Sequence, residues 1–318
     1  MASKLPVQLH DAIDRQGGVL ARSQLLAAGL TAKMIEVRLR SGAWQRLQTG
    51  VYATFSGEPP RGALLWAAVL RAGPAAALSH HSAAELYGLL DTPAHAIHVT
   101  VARGSQVARP RGSVIHYSGR LERARHPVLT PPRTRVEETV LDIAATAATL
   151  DQAISVVLRA SASRLTTAAH IAATMQTHSR MRWRRELTAA LGLAGQGVQS
   201  LLEFRYVNWV ERPHGLPPGR RQQPVQRGRR REYRDVEYEE YGLVVELDGR
   251  GAHPEWRRWA DIRRDNAAAA AGRATLRYGW ADVSDEACRI AQEVGDVLRQ
   301  RGWGGPLRRC RRSCPVSG

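Results

Sequence analysis

The run REYRDVEYEEYGLVVELDG, residues 231–249, constrains the fold more than any other stretch of the chain. It reads as two strands about a turn near Glu240–Gly242, because its apolar residues recur with a period of two rather than 3.6. Side chains two apart on a strand share a face. Glu246 and Asp248 therefore point one way, and Val245 and Leu247 the other. Asp235, on the first strand, reaches the acidic face if the pairing register brings it there. Carboxylates gathered on one face repel unless a cation joins them. Oxygen donors suit a hard divalent ion, so Asp235, Glu246 and Asp248 are the candidate metal ligands, for Mg²⁺ or Mn²⁺. Gly249 lets the chain turn away at the strand end. The plainer alternative is an acidic strand end neutralised by Arg250 or Arg264. The run is not a calcium loop, since the regular D-x-D-x-D-G spacing is missing.

The flanks supply the rest of a domain. GVQSLLEFRYVNWVE reads as a helix with Val198, Leu202, Tyr206 and Trp209 along one face. PHGLPPGR is a loop, followed by a dense run of arginines from Arg220 to Arg234. EWRRWADIRRDNAAAAAG reads as a helix, ATLRYGW as a strand, and SDEACRIAQEVGDVLRQRGW as a closing helix capped by Ser284. In that order, SLLE (Glu203), YRDVEY (Asp235), VVELDGRGAH (Glu246, Asp248, His253), DIRRDN (Arg264, Asp265) and TLRYGW (Arg277) resemble the PD-(D/E)xK nuclease superfamily, in its branch similar to very-short-patch-repair (Vsr-like) endonucleases.

The resemblance implies a restriction-endonuclease-like α/β/α domain with a mixed sheet over residues 196–303. It implies Asp235 and Glu246 as metal ligands, with Glu203 as a further carboxylate of the catalytic group. Asp248 stands where the superfamily carries a lysine. The chain has two lysines, Lys4 and Lys33, so none can serve from this domain. Arginine is no substitute as a proton acceptor, because it stays protonated. The Vsr-like branch also lacks the lysine and uses a nearby histidine, which makes His253 the candidate base.

Residues 1–58 read as a winged helix-turn-helix. LHDAIDRQGG is a helix closed by Gly17–Gly18, ARSQLLAAGLT a second, and Thr31 caps a third, TAKMIEVRLRSG. WQRLQTGVYATF then gives two short extended runs about Gly50. Lys33, Arg38 and Arg40 lie off the apolar face of the third helix and Arg46 begins the wing, so all four are candidate DNA contacts. The run GLTAKMIEVRLRSGAWQRLQTGVYA, with SHHSAAELYGL and PRTRVEETVLDIA further on, resembles AbiEi-type abortive-infection antitoxins and related regulators. That resemblance implies a regulator of transcription with a cognate toxin or other protein as partner.

Residues 59–195 read as an α+β connecting module, giving a multidomain α/β chain. His80, His81, His95, His98 and His116 fall there without an H-x-x-x-H pair or a cysteine to frame them, and are expected to be satisfied or exposed rather than ligands. The formal charge of +17 suits a polyanion, although abundant Arg and Ala with so little Lys also fit GC-rich coding. Arg229, Arg230, Arg231 and Arg264 are the candidate DNA contacts of the C-terminal domain. Cys288, Cys310 and Cys314 make no disulfide framework, and CRRSC is half a zinc site with no second pair. The N-terminal residues lack the apolar core of a secretion signal and no run is long enough to span a membrane, so a cytoplasmic location is expected. Residues 304–318 are expected to be a disordered basic tail. The function expected is DNA binding joined to Mg²⁺-dependent hydrolysis or nicking of phosphodiesters. The alternative is an antitoxin or transcriptional regulator with an inactive nuclease fold.

Overall fold

Two capped helix starts anchor the architecture. The Thr31 hydroxyl accepts the Met34 amide hydrogen (3.3 Å), and the Ser200 hydroxyl accepts that of Glu203 (3.1 Å). The computed structural model describes residues 5–227, 230–248 and 272–317, and the side chains of 224–232 are outside it. The chain is multidomain α/β, with three separate sheets among the described residues. It divides into two compact units, one comprising Met1–Thr149, Ser163–Thr166 and His170–Arg182, the other the remainder. The helix Leu150–Ala162, which the sequence assigned to the connecting module, belongs with the C-terminal unit. Among the described residues no helix is long and apolar enough to cross a membrane.

The first unit begins with α1 (His10–Arg15), β1 (Val19–Ala21), α2 (Arg22–Ala27), α3 (Ala32–Arg40), β2 (Gln45–Gln48) and β3 (Val51–Ala53). The strands form an antiparallel sheet in the order β1-β3-β2. Leu9, Leu20, Leu25, Leu30, Ile35, Trp44 and Tyr52 fill the core between helices and sheet. β1 was not legible in the sequence, because three consecutive buried residues carry no periodicity. The unit continues with α4 (Arg61–Ala72), β4 (Ala77–Leu78), α5 (His80–Leu86), β5 (Ile97–Ala102), β6 (Ser113–Ser118), α6 (Leu121–Ala124) and α7 (Val136–Thr146). β5 and β6 run parallel, with β4 antiparallel on the other side of β5.

In the second unit α8 (Leu150–Ala162) and α9 (Arg184–Gly195) pack together. α10 (Leu201–Arg205) then passes into a π-helical segment, Tyr206–Glu211, and one last turn, Arg212–His214. The sheet of this unit has the order β10-β9-β8-β7, built from β7 (Arg220–Arg227), β8 (Arg230–Tyr238), β9 (Leu243–Asp248) and β10 (Ala274–Gly279). β9 and β10 are parallel and the other pairs antiparallel. α11 (Trp280–Asp285) and α12 (Ala287–Gln300) follow. The predicted hairpin about Gly242 is present as β8–β9, with Gly242 at φ 58°. The first part of the basic run is itself a strand, β7, whose ladder the arginines concealed, and its last part begins β8.

Three details correct the sequence reading. Trp209 does not share the buried stripe of Leu202 and Tyr206 but is 40% exposed, because i→i+5 bonding in the π segment rotates it outward. The Arg205 guanidinium lies over its ring at 4.4 Å and over that of Trp280 at 4.2 Å. Ser284 lies within α11 and caps nothing; α12 starts three residues later. The tail expected to be disordered is ordered through Ser317. Trp303, Leu307, Cys314 and Val316 join the core formed by Tyr206, Val245, Ile290 and Val294. Gly295 makes room, since a Cβ there would stand 2.6 Å from Leu307 Cδ1. The charge of the tail masked three apolar anchors, Leu307, Cys314 and Val316, spaced too irregularly to read as a helix or strand.

Candidate functional site

The carboxylates predicted to converge lie on β8 and β9, the central strands of the four-stranded sheet, and on α10. Main-chain pairing of β8 with β9 runs from Tyr238–Leu243 to Val236–Val245. Val236, Tyr238, Leu243, Val245 and Leu247 enter the core, so the alternate residues Asp235, Glu246 and Asp248 face away from it. One step further along that register sets Asp235 across from Glu246. There the Asp235 carboxylate, rather than a main-chain carbonyl, accepts the Leu247 amide hydrogen (2.8 Å). On the other side β10 sets Arg277 beside Glu246, and Arg277 Nη1 lies 3.8 Å from Asp248 Oδ2.

Glu203 closes the group from α10. It is 4% exposed and accepts hydrogens from the Gln199 amide (3.1 Å), the Ser200 hydroxyl (3.0 Å) and Gln222 Nε2 (3.2 Å). The same Gln222 nitrogen lies 3.4 Å from Asp235 Oδ1, so one side-chain amide bridges the two carboxylates. Gln222 holds φ at 50°, a left-handed conformation uncommon for a non-glycine residue. Nothing in RRQQPVQ marked it beforehand. Burial, with the charge of Asp235 added, pushes Glu203 up to about 7. Burial first, and then Asp248, also raises Asp235, against the opposing Leu247 amide, Gln222 and Arg277.

An all-oxygen donor set whose carboxylates Glu203 and Asp235 are raised mainly by burial suits a hard divalent cation. Its geometry is open: among the described residues, Asp235, Glu246 and Asp248 do not form a set of three with donor atoms all within 4.8 Å of one another. His253, Arg264 and Arg229 lie outside the described residues. Arg230 and Arg231 begin β8, opposite Arg227 and Gln226. Arg221, in the same basic run, does not face solvent: its guanidinium is buried against Glu211 (2.5 Å) and over the Tyr206 ring.

The raised carboxyl of Glu203 gives a signed prediction. A group held protonated in the fold but ionised in the unfolded chain lowers stability as pH rises from about 4.5 towards 7. Glu203→Gln removes that penalty and should stabilise the second unit by roughly 2–3 kcal/mol at pH 8 but by less than about 1 kcal/mol at pH 5. Urea unfolding of both proteins at the two pH values measures the difference; an equal gain at both would contradict the assignment.

In the first unit, Ile35 is the fully buried residue of α3, and Lys33 is exposed. Arg40 is exposed and paired with Glu36 (3.1 Å), and Arg46 is exposed near the Tyr52 ring. Arg38 instead folds back, over the Trp44 ring and onto the Met34 carbonyl oxygen (3.1 Å). The histidines gather more closely than their spacing suggested. His80 stacks on His116 with ring centroids 3.7 Å apart, and His98 Nδ1 meets His116 Nε2 at 3.0 Å. His80 and His116 line a polar cavity of about 410 Å³ with Arg120, Glu138 and Asp142. Burial and mutual repulsion lower His80 to about 2 and His98 to about 4, so both rings are neutral near pH 7. One ligand atom from each of His80, His98 and His116 lies within 4.8 Å of the others, a clustering that the lack of an H-x-x-x-H pair did not foreshadow.

Compared with known proteins, the chain matches no family model and no curated protein.

Proposed function

We propose that the chain is a DNA-binding protein whose C-terminal unit is a metal-dependent nuclease of the PD-(D/E)xK type, similar to the Vsr-like branch. The observation that carries this reading is the Glu203–Gln222–Asp235 bridge beside Glu246 on one side of a mixed four-stranded sheet. Asp235 and Glu246 would hold Mg²⁺ or Mn²⁺. When bound, such an ion neutralises charge on a phosphodiester and makes water more acidic. Gln222 fixes the Asp235 carboxylate, and Glu203 holds Gln222 in place from behind. Asp248, paired with Arg277, orients that arginine towards the same face, where it suits a phosphate oxygen. His253 is the residue of this segment able to take a proton near neutral pH.

The first unit supports duplex binding as a winged helix: α2, a short turn and α3, then β2–β3 as the wing. Lys33, Arg40 and Arg46 present charge outward, whereas Arg38 is committed to its own helix. Lys33→Ala and Arg46→Ala should each weaken binding to any duplex and reduce the slope of log K against log salt by about 0.9. Gel shifts at graded salt measure this, and unchanged slopes would remove both residues from the interface. The hydrolytic half is tested on supercoiled plasmid, where nicks are expected with Mg²⁺ or Mn²⁺ and none without.

A second reading has its own observation. Asp248 occupies the lysine position and is drawn to Arg277, an arrangement that suits a retired active site. On that reading the protein is a regulator of the AbiEi antitoxin type, which binds DNA and a protein partner without cutting.

A further inference from the structure

The three cysteines of the chain, which the sequence could not connect, meet one histidine at a single point. Cys288 comes from α12, Cys310 and Cys314 from the ordered tail, and His214 from the last turn after the π segment. Their donor atoms all lie within 4.8 Å of one another. Cys288 Sγ is 3.6 Å from Cys310 Sγ, and Cys314 Sγ is 3.6 Å from His214 Nε2. A disulfide needs about 2.05 Å between sulfurs, so Cys288 and Cys310 are not bonded. A tetrahedral zinc ion with Zn–S bonds of about 2.3 Å sets its sulfurs roughly 3.7 Å apart.

The histidine is prepared for ligation. His214 is fully buried, and its Nδ1–H donates to the Val210 carbonyl oxygen at 2.8 Å. That bond fixes the tautomer and leaves the Nε2 lone pair directed at the cysteines, as metal-ligating histidines are commonly held. The backbone around the site is fixed as well, since the Arg308 amide donates to the His214 carbonyl oxygen (2.9 Å). Leu307 and Val316, on either side of the tail cysteines, are anchored in the core.

We propose that His214, Cys288, Cys310 and Cys314 form a structural Cys₃His zinc site that clamps the C-terminal tail and α12 to the last turn of the helical stretch that begins with α10. Four protein ligands close the coordination shell, which suits a structural rather than a catalytic ion. Soft thiolates separate this site from the oxygen-donor carboxylates, so the two select different metals. The expectation that CRRSC is an unpaired half-site fails because the other half comes from two distant elements.

The test uses the full chain, expressed with zinc supplied and purified in reductant without chelator. Elemental analysis should find one zinc per chain, and the native protein should show no rapidly reactive thiol. After zinc removal, titration with Co²⁺ should give thiolate-to-cobalt charge transfer and the intense visible bands of a tetrahedral site, both displaced by Zn²⁺. Cys314→Ser should lose zinc. Cys310→Ser, at the exposed ligand, should remain folded by circular dichroism while binding zinc at least about tenfold more weakly. Zinc-free protein with three freely reactive thiols and no cobalt bands would overturn the site, as would a Cys288–Cys310 disulfide persisting in reductant.

Discussion

Asp235→Asn is expected to reduce metal-dependent nicking by about 100-fold or more while leaving duplex affinity within about twofold of the parent. Asparagine keeps an oxygen to accept the Leu247 amide hydrogen, so β8 and β9 stay in register. What it loses is one negative charge beside Glu246, and with it most of the attraction for a hard cation. Glu246→Ala should do the same. The variants separate the two readings of the C-terminal unit. In an active nuclease they abolish cutting. In a regulator with a silent site, there is no cutting to abolish and DNA binding is unaltered.

Arg221→Met is expected to destabilise the second unit by about 3–5 kcal/mol, because it leaves the Glu211 carboxylate buried without its cation. Both side chains are 6% exposed. The remaining partners of Glu211, the Tyr238 hydroxyl (3.2 Å) and the Gly219 amide (3.3 Å), cannot neutralise it. Adding Glu211→Gln should recover most of the loss. The pair is imperfect even in the parent protein, since Arg221 Nη1 is buried without a hydrogen-bond partner. Urea unfolding of the single and double variants gives the comparison. A single variant within about 1 kcal/mol of the parent would mean that Arg221 belongs functionally with its exposed neighbours in the basic run.

The carboxylates were legible because the strand period is local: Glu246 and Asp248 are two residues apart, and one face follows from that alone. The Thr31 cap and the turn at Gly242 were legible for the same reason. Gln222 was not, since its bridge joins residues of α10 and β8 that are distant in sequence, and depends on a left-handed backbone conformation that no residue of RRQQPVQ announces. The π segment escaped notice because Trp209 fits an α-helical stripe perfectly well on paper. The metal site of the tail was least legible. Its ligands stand at 214, 288, 310 and 314, and only the last two share a local spacing. Basic charge in the tail and in β7 also misled, by making residues that serve packing look like residues that serve solvent or DNA.

The most direct measurement of the central claim is conversion of supercoiled plasmid to nicked circles by the purified full chain, with Mg²⁺ present or simply omitted. Omission is preferable to chelation because a chelator would also draw on the cysteine site. Metal-dependent nicking by the parent, lost in Glu246→Ala while salt-sensitive DNA binding remains, is the predicted result. Equal nicking by parent and Glu246→Ala, or none by either across linear, supercoiled and mismatched duplexes, would contradict the nuclease reading.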